Sequence, residues 1–309
     1  MRALFVAEEE AWGGMLGRLR KRLPEVDFVA NGSFEVPSLA GYDVVIPTMA
    51  RIDAALLETA DRLRLIQQVG AGLEGVDRAA AEARGIAVHN VPTAESGNAD
   101  SVAELGIWMM VGLARDVRRI RGALAERHLG TPIGLGLKGR TVGLVGMGGL
   151  GQALAKRLRT FDMTLLGLKR TPSESFRVEH GLDWLGGMED LPELLGRSDF
   201  VLLTLPDNPQ THHLIDKDAL ATMRRGSFLI NLGRGGLVEH GALLDALDSG
   251  QLGGAGLDVF WQEPPDPNDP IFRQNVIATP HIAGITDVSL DGIIETAAAR
   301  IEDLARAAS

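Results

Sequence analysis

The sequence predicts an α/β protein built from two doubly wound parallel-sheet domains, and three observations carry that expectation. Short aliphatic and β-branched runs alternate along the chain with segments of helical period, as in parallel sheets covered on both faces. The series restarts at Thr141, after the glycine- and proline-rich stretch Gly130–Gly139. The 309 residues, 45% of them hydrophobic, also exceed the size at which a single core stops growing.

In the first third, strands are expected at Leu4–Ala7, Asp27–Val29, Val44–Ile46, Leu65–Val69 and Ile86–His89, separated by helices such as Trp12–Arg22 and Ala54–Ala60. Asn98–Arg118 reads as one long helix able to bridge two domains. Val102, Leu105, Trp108, Met109 and Gly112 share its face, and Arg115, Arg118 and Arg119 gather near its C-terminal end, where cations complement the helix dipole. Gly130–Gly139 has the composition of a hinge. Further strands are expected at Thr141–Val145, Thr164–Leu168, Phe200–Leu203, Ser227–Asn231, Ala255–Asp258 and Val276–Ala278, before an alanine-rich helix at Ser289–Ala307.

A net charge of −10 repels polyphosphate backbones and anionic lipid, so neither nucleic acid nor membrane is expected as the main partner. The chain has no cysteine, which excludes disulfides, thiolate nucleophiles and cysteine-ligated zinc; no metal is expected. The opening MRALFVAEEE turns acidic where a signal peptide needs its apolar region, and the longest apolar run, Leu105–Ala114, is about half a membrane span. A cytoplasmic protein is expected.

Residues 141 to 151 place Gly146, Gly148 and Gly151 in G-x-G-x-x-G spacing between an apolar strand and an amphipathic helix. The first glycine permits a tight turn, the second lets backbone approach a pyrophosphate and the third lets helix pack on strand. A dinucleotide is the expected ligand. Where a Rossmann site for NAD offers a carboxylate to the ribose, this chain has Lys169 and Arg170, cations suited to a 2′-phosphate. NADP is therefore the expected cofactor, with NAD possible.

Three segments follow: Asn231-Leu-Gly-Arg-Gly-Gly-Leu-Val, Gly256-Leu-Asp-Val-Phe-Trp-Gln-Glu-Pro and Thr279-Pro-His-Ile-Ala-Gly. They allow Arg234, Asp258, Glu263 and His281 to converge at the C-terminal ends of strands, where open α/β sheets bind ligands. Reduction of a 2-oxo acid needs a cation for the carboxylate, a proton donor for the carbonyl oxygen and a means of keeping that donor charged. Arg234 supplies a planar fork. His281 is the neutral-pH donor, and Glu263 favours its imidazolium. Singly, each has an ordinary loop explanation; their order after a dinucleotide turn favours function. The other histidines, including His212, His213 and His240, lack such context and are read as structural.

With these motifs, Val69-Gly-Ala-Gly-Leu-Glu-Gly-Val-Asp77 and Val102-Ala-Glu104, the chain resembles the D-isomer-specific 2-hydroxyacid dehydrogenases over nearly its whole length. The resemblance implies that Arg234, Glu263 and His281 are catalytic and that Asp258 lies near the nicotinamide carboxamide. It further implies that the Ala71-Gly72 backbone, with Arg234 and His281, receives the substrate. Gly149 and Leu150 face the pyrophosphate, and Leu205, Pro206, Leu232 and Gly284 join the cofactor site. The implied architecture is a discontinuous, flavodoxin-like substrate domain (1–97 and 285–309), a Rossmann cofactor domain (98–284) and a homodimer formed through the latter.

There are departures from the family pattern. Thr48-Met49-Ala50, with Arg51 beyond, replaces Ser-Arg-Thr, and Thr204-Leu205-Pro206 replaces His-Thr-Pro. The first argues against a contact to a substrate phosphate; the second removes a hydroxyl near the cofactor. With the sequence ending at Ser309, the regulatory domain of longer phosphoglycerate dehydrogenases is not expected. Glyoxylate, hydroxypyruvate or a similar acid is the expected substrate. A nucleotide-sensing corepressor-like protein and a formate or phosphite dehydrogenase are the alternatives.

Overall fold

The structure, a computed structural model, describes residues 1–306. The chain divides into two compact units, Met1–Asn98 with Gly284–Ser309, and Ala99–Ala283.

The first unit holds five parallel strands, β1 (Arg2–Phe5), β2 (Asp27–Ala30), β3 (Val44–Ile46), β4 (Leu65–Gln67) and β5 (Ala87–His89), in the order β2-β1-β3-β4-β5, the flavodoxin-like arrangement. Side chains alternate across a strand, so β1 sends Ala3 and Phe5 to one core and Leu4 to another. The first core is closed by α1 (Ala11–Arg22) and by the last helix (Asp287–Arg306), through Met15, Leu16, Leu19, Leu290, Ile293, Ile294 and Ile301. Each fully buried aliphatic side chain contributes about 1.5–3 kcal/mol, so this face depends on a segment that returns from the far end of the sequence. The second core is covered by α2 (Ala54–Glu58) and α3 (Arg78–Ala83). Helix α1 is kinked at its start, where Trp12, Gly13 and Gly14 are left-handed.

The second unit holds seven parallel strands, β6 (Thr141–Val145), β7 (Thr164–Leu168), β8 (Trp184–Gly186), β9 (Phe200–Leu203), β10 (Ser227–Asn231), β11 (Leu252–Leu257) and β12 (Val276–Ala278). Their order is β12-β11-β10-β9-β6-β7-β8. The order reverses between β9 and β6, the switch point at which Rossmann sheets bind their ligands. Cores on the two sheet faces gather Val201, Leu203 and Leu229 on one side and Leu144, Leu202 and Ile230 on the other.

Several expected boundaries shift. The long helix expected at Asn98–Arg118 ends at Ala114 as α4 (Asn98–Ala114) and resumes as α5 (Val117–Ala125) after a left-handed Asp116. The Ala114 carbonyl accepts from Leu135 N–H at 2.6 Å, so the oxygen that would bond to Arg118 is already engaged. Of its expected apolar face, Val102, Met109 and Gly112 are buried. Trp108 is 48% exposed and Leu105 half-buried, whereas Ala103, Gly106, Met110 and Leu113 face inward. The Gly130–Gly139 stretch expected as a hinge runs within the second unit, between α5 and β6. β8 was not expected. Its Trp184-Leu-Gly is too short to show a period and is flanked by glycines. Ala307, the expected end of the last helix, lies outside the described residues.

Candidate active site

The glycine turn lies where its spacing places it. Gly146 ends β6 with φ +107°, and a Cβ on Gly151 would stand 2.1 Å from the Gly146 carbonyl oxygen, so neither position accepts a side chain without a shift of the turn. Gly148 is the N-cap of α6 (Gly149–Leu158) and faces open space. The bond from Gln152 N–H to Gly148 O (3.0 Å) closes the first helical turn, leaving the N–H groups of Gly149, Leu150 and Gly151 as those a helix start presents outward. Donors, helix dipole and uncluttered approach together fit a pyrophosphate. The Gly146 N–H bonds Leu168 O at the end of β7 (3.2 Å), and Lys169 and Arg170 follow directly. Lys169 Nζ lies 4.5 Å from the centre of the Phe176 ring; Arg170 is exposed.

The loop after β9 joins this turn to the next part of the site. The Thr204 hydroxyl donates to the Gly146 carbonyl at 2.6 Å. The Leu205 side chain packs at Gly146, while its carbonyl lies where a Cβ on Gly233 would meet it at 2.5 Å. Pro206 follows, and its carbonyl accepts from the Thr211 hydroxyl (2.7 Å). Leu232 directly follows β10. Its side chain is buried against Gly106 in the core, so only its backbone is available to a cofactor.

Arg234 stands in the loop after β10. Asn231, 1% exposed, shapes that loop from both ends of its carboxamide: Oδ1 accepts from Gly233 N–H (3.1 Å) and Nδ2 donates to Arg234 O (2.8 Å). Beyond β11, Glu263 accepts from Phe260 N–H through Oε1 (2.9 Å) and from His281 Nδ1 through Oε2 (2.7 Å). Burial alone would raise the Glu263 carboxyl. The His281 bond and charge, the Phe260 N–H and the Arg234 charge outweigh it and hold the group below the usual carboxylate range. His281 is left-handed, with φ +54°.

The loop that carries His281 is built on Asp258. This buried carboxylate accepts from the Thr279 hydroxyl (2.6 Å), Ile282 N–H (2.9 Å) and Ala283 N–H (3.0 Å). Burial raises its pKa although these donors and the His281 charge oppose the rise. Asp258 therefore gathers the turn on either side of the histidine. Sequence reasoning missed this work, and that of Asn231, Thr204 and Thr279. An Asn or Asp directly at the end of a buried strand, where it must find partners, is the signal that points to Asp258 and Asn231. Strand ends β6, β7, β10, β11 and β12 thus bring Gly146–Gly151, Lys169, Arg170, Arg234, Asp258, Glu263 and His281 to one edge of the seven-stranded sheet.

Ala71, Gly72 and Gly284 belong to the first unit. Ala71 and Gly72 lie in the loop after β4, and Gly284 has no room for a side chain beside Asn98. Among the described residues no cluster of metal-ligating side chains occurs, and no helix is long and apolar enough to cross a membrane.

Comparison with known proteins gives a consistent result. The profile of the D-isomer specific 2-hydroxyacid dehydrogenase NAD binding domain matches residues 107–283. A glyoxylate reductase of Thermococcus litoralis is 35% identical over 80% of this chain and 76% of its own. A D-3-phosphoglycerate dehydrogenase of Methanocaldococcus jannaschii is 34% identical over 79% of this chain, which spans only 46% of that relative. The structure of Aquifex aeolicus D-lactate dehydrogenase, solved with NAD and lactic acid, superposes with a TM-score of 0.86 at 26% identity, covering 99% of this chain and 96% of that one.

Proposed function

Because the chain belongs to the D-isomer specific 2-hydroxyacid dehydrogenase family, we propose that it transfers a hydride between a nicotinamide cofactor and C2 of a small 2-oxo or 2-hydroxy acid. The observation that carries this reading is the 2.7 Å bond between Glu263 and His281 Nδ1 beside Arg234. With Nδ1 held by a carboxylate, the ring offers Nε2 to substrate and favours the charged form that can donate. Arg234 forks onto the substrate carboxylate and polarises the carbonyl. Gly146–Gly151 with Leu205, Pro206, the Leu232 backbone, Asp258 and Gly284 would hold the cofactor, which would supply the hydride. In reduction, His281 gives its Nε2 proton to the carbonyl oxygen; in oxidation it takes that proton back. The carboxylate of the substrate rests on the N–H groups of Ala71 and Gly72.

NADPH is the favoured cofactor in this reading. A 2′-phosphate accepts charge-assisted bonds from Lys169 and Arg170, and exposure of Arg170 reduces that preference without reversing it. NAD serves as a weaker alternative. Met49 is 43% exposed where a phosphate-binding cation would be needed, which favours glyoxylate or hydroxypyruvate over a phosphorylated acid. A second copy of the chain is the proposed partner, since the second unit presents Trp108, Leu124 (72% exposed), Leu129 (99%) and Ile133 (92%), more apolar side chain than a free surface normally shows in one stretch. The proposed compartment is the cytoplasm.

The test is a panel of 2-oxo acids followed by nicotinamide absorbance with NADPH and with NADH, in wild type and in Lys169→Ala/Arg170→Ala. Glyoxylate or hydroxypyruvate is expected to give the highest kcat/KM, with a preference for NADPH that the double variant loses. Preference for 3-phosphohydroxypyruvate refutes the substrate reading, and an unchanged cofactor ratio in the variant refutes the role of the two cations.

A further inference from the structure

Each backbone N–H and carbonyl needs a partner in protein or solvent, and the loop Val69–Gly72 distributes its own in a one-sided way. Buried Gln68 accepts from Val69 N–H through Oε1 (2.9 Å) and donates from Nε2 to Thr48 O (2.8 Å). The Gly70 carbonyl accepts from Val91 N–H at 3.2 Å, and the Ala71 carbonyl from Asn90 Nδ2 at 2.6 Å. The N–H groups of Ala71 and Gly72 donate to no group among the described residues. Those carbonyls and N–H groups are opposite ends of the same planar peptides: Gly70 O with Ala71 N–H, and Ala71 O with Gly72 N–H. One peptide further back, Arg300 of the last helix donates to the Asn90 carbonyl, which shares its plane with Val91 N–H.

We propose that Arg300 and Asn90 are positioning residues that orient and polarise the Ala71 and Gly72 N–H groups towards a carboxylate. The Arg300 charge stands at the tail of two peptides in series, 90–91 and 70–71, whose dipoles align through the Val91 bond and end at Ala71 N–H. The Asn90 side chain performs the same task for the 71–72 peptide and Gly72 N–H. Hydrogen-bonded peptides polarise one another along a chain, and a guanidinium stays charged at any working pH. A negative ligand at the head of this series therefore gains more than two isolated amides would provide. The proposal rests on the reading that Ala71 and Gly72 receive the substrate carboxylate.

Steady-state reduction of glyoxylate tests it with Asn90→Ala, Arg300→Ala and Arg300→Lys, together with Gly72→Pro, which deletes one of the two N–H groups. Asn90→Ala and Arg300→Ala are expected to raise KM for glyoxylate about three- to tenfold, the range of one hydrogen bond's net contribution. Cofactor KM and kcat should hold, and Arg300→Lys should restore much of the loss. Asn90→Ala should add nothing in the Gly72→Pro background beyond the effect of Gly72→Pro. If Arg300→Ala does not fold, Arg300→Gln, which keeps a donor without the charge, should give an intermediate KM. An unchanged glyoxylate KM in the Asn90 and Arg300 variants, with Gly72→Pro raising it, overturns the relay and leaves the carboxylate seat standing. No effect of Gly72→Pro removes the seat and the relay with it. A cofactor KM rising in step with that for glyoxylate shows general loosening and also overturns the proposal.

Discussion

Glu263→Gln keeps the shape of the His281 partner and removes its charge. The Glu263 and His281 side chains are 16% and 28% exposed, so their bond is neither fully desolvated nor at the surface. A hydrogen bond involving a charged group contributes about 1.5–3 kcal/mol, and the residual exposure of the imidazole favours the lower half of that range. About 2 kcal/mol corresponds to a roughly thirtyfold change in rate, since a factor of ten is about 1.36 kcal/mol. The Glu263 carboxyl titrates below the usual range, so its charge is present throughout the neutral region and favours the protonated imidazole there. Reduction consumes that proton. In a plot of kcat/KM against pH the deficit of the variant is therefore expected to be greatest on the alkaline side. The loss should reach about ten- to a hundredfold on the alkaline side and shrink as the medium becomes acidic. Glyoxylate reduction followed by nicotinamide absorbance across the pH range is the assay. A loss uniform across the pH range would falsify the reasoning, because it would mean that Glu263 holds the loop without acting on the proton.

Three further outcomes follow from the same geometry. His281→Ala is expected to lower turnover by about two to four orders of magnitude while cofactor affinity, read by fluorescence titration, holds; retention of half the activity would sink the assignment. Arg234→Lys should lose both substrate affinity and turnover, because an ammonium keeps the charge but not the planar fork, and unchanged constants would return the arginine to the loop. Asp43 gives a stability test. Burial works to raise its carboxyl, but Arg2 N–H, Arg62 and Arg64 hold it below the ordinary value. A depressed folded-state pKa stabilises above the unfolded value of about 3.9 and is lost as pH falls through the folded one. Asp43→Asn should therefore lower Tm at neutral pH and converge with wild type in acid, and a gap constant with pH would contradict this.

Much of the architecture was legible because parallel strands buried on both faces announce themselves as short aliphatic runs; β3, β6, β7, β9, β10 and β12 lie at their expected residues. The failures have local causes. Apolar periodicity carries through Ala114 into α5, and nothing in the sequence shows that Leu135 N–H comes back to take the Ala114 carbonyl. Trp108 counts as apolar in any periodic reading although the helix turns it outward. Within the candidate site, charged residues in glycine-rich loops stood out, whereas Asn231, Asp258 and Thr279, which shape those loops, became visible only through their hydrogen bonds. Long-range pairings such as Arg300 with Asn90 leave no local trace at all.

The first unit leaves the chain at Asn98 and resumes at Gly284, which has a consequence for biosynthesis. As a ribosome releases the polypeptide from its N-terminus, β1 to β5 and α1 emerge early, but the inner faces of Leu16 and Leu19 wait for Leu290, Ile293 and Ile301. The ion pair between Arg22 and Glu302 joins positions 280 residues apart. At a synthesis rate of about 5–20 residues per second, that wait lasts on the order of 15–60 seconds, during which the nucleotide-binding unit can finish its own contiguous fold. The nascent first unit spends the interval with one sheet face covered only by α1, so this face is where chaperone protection would matter most.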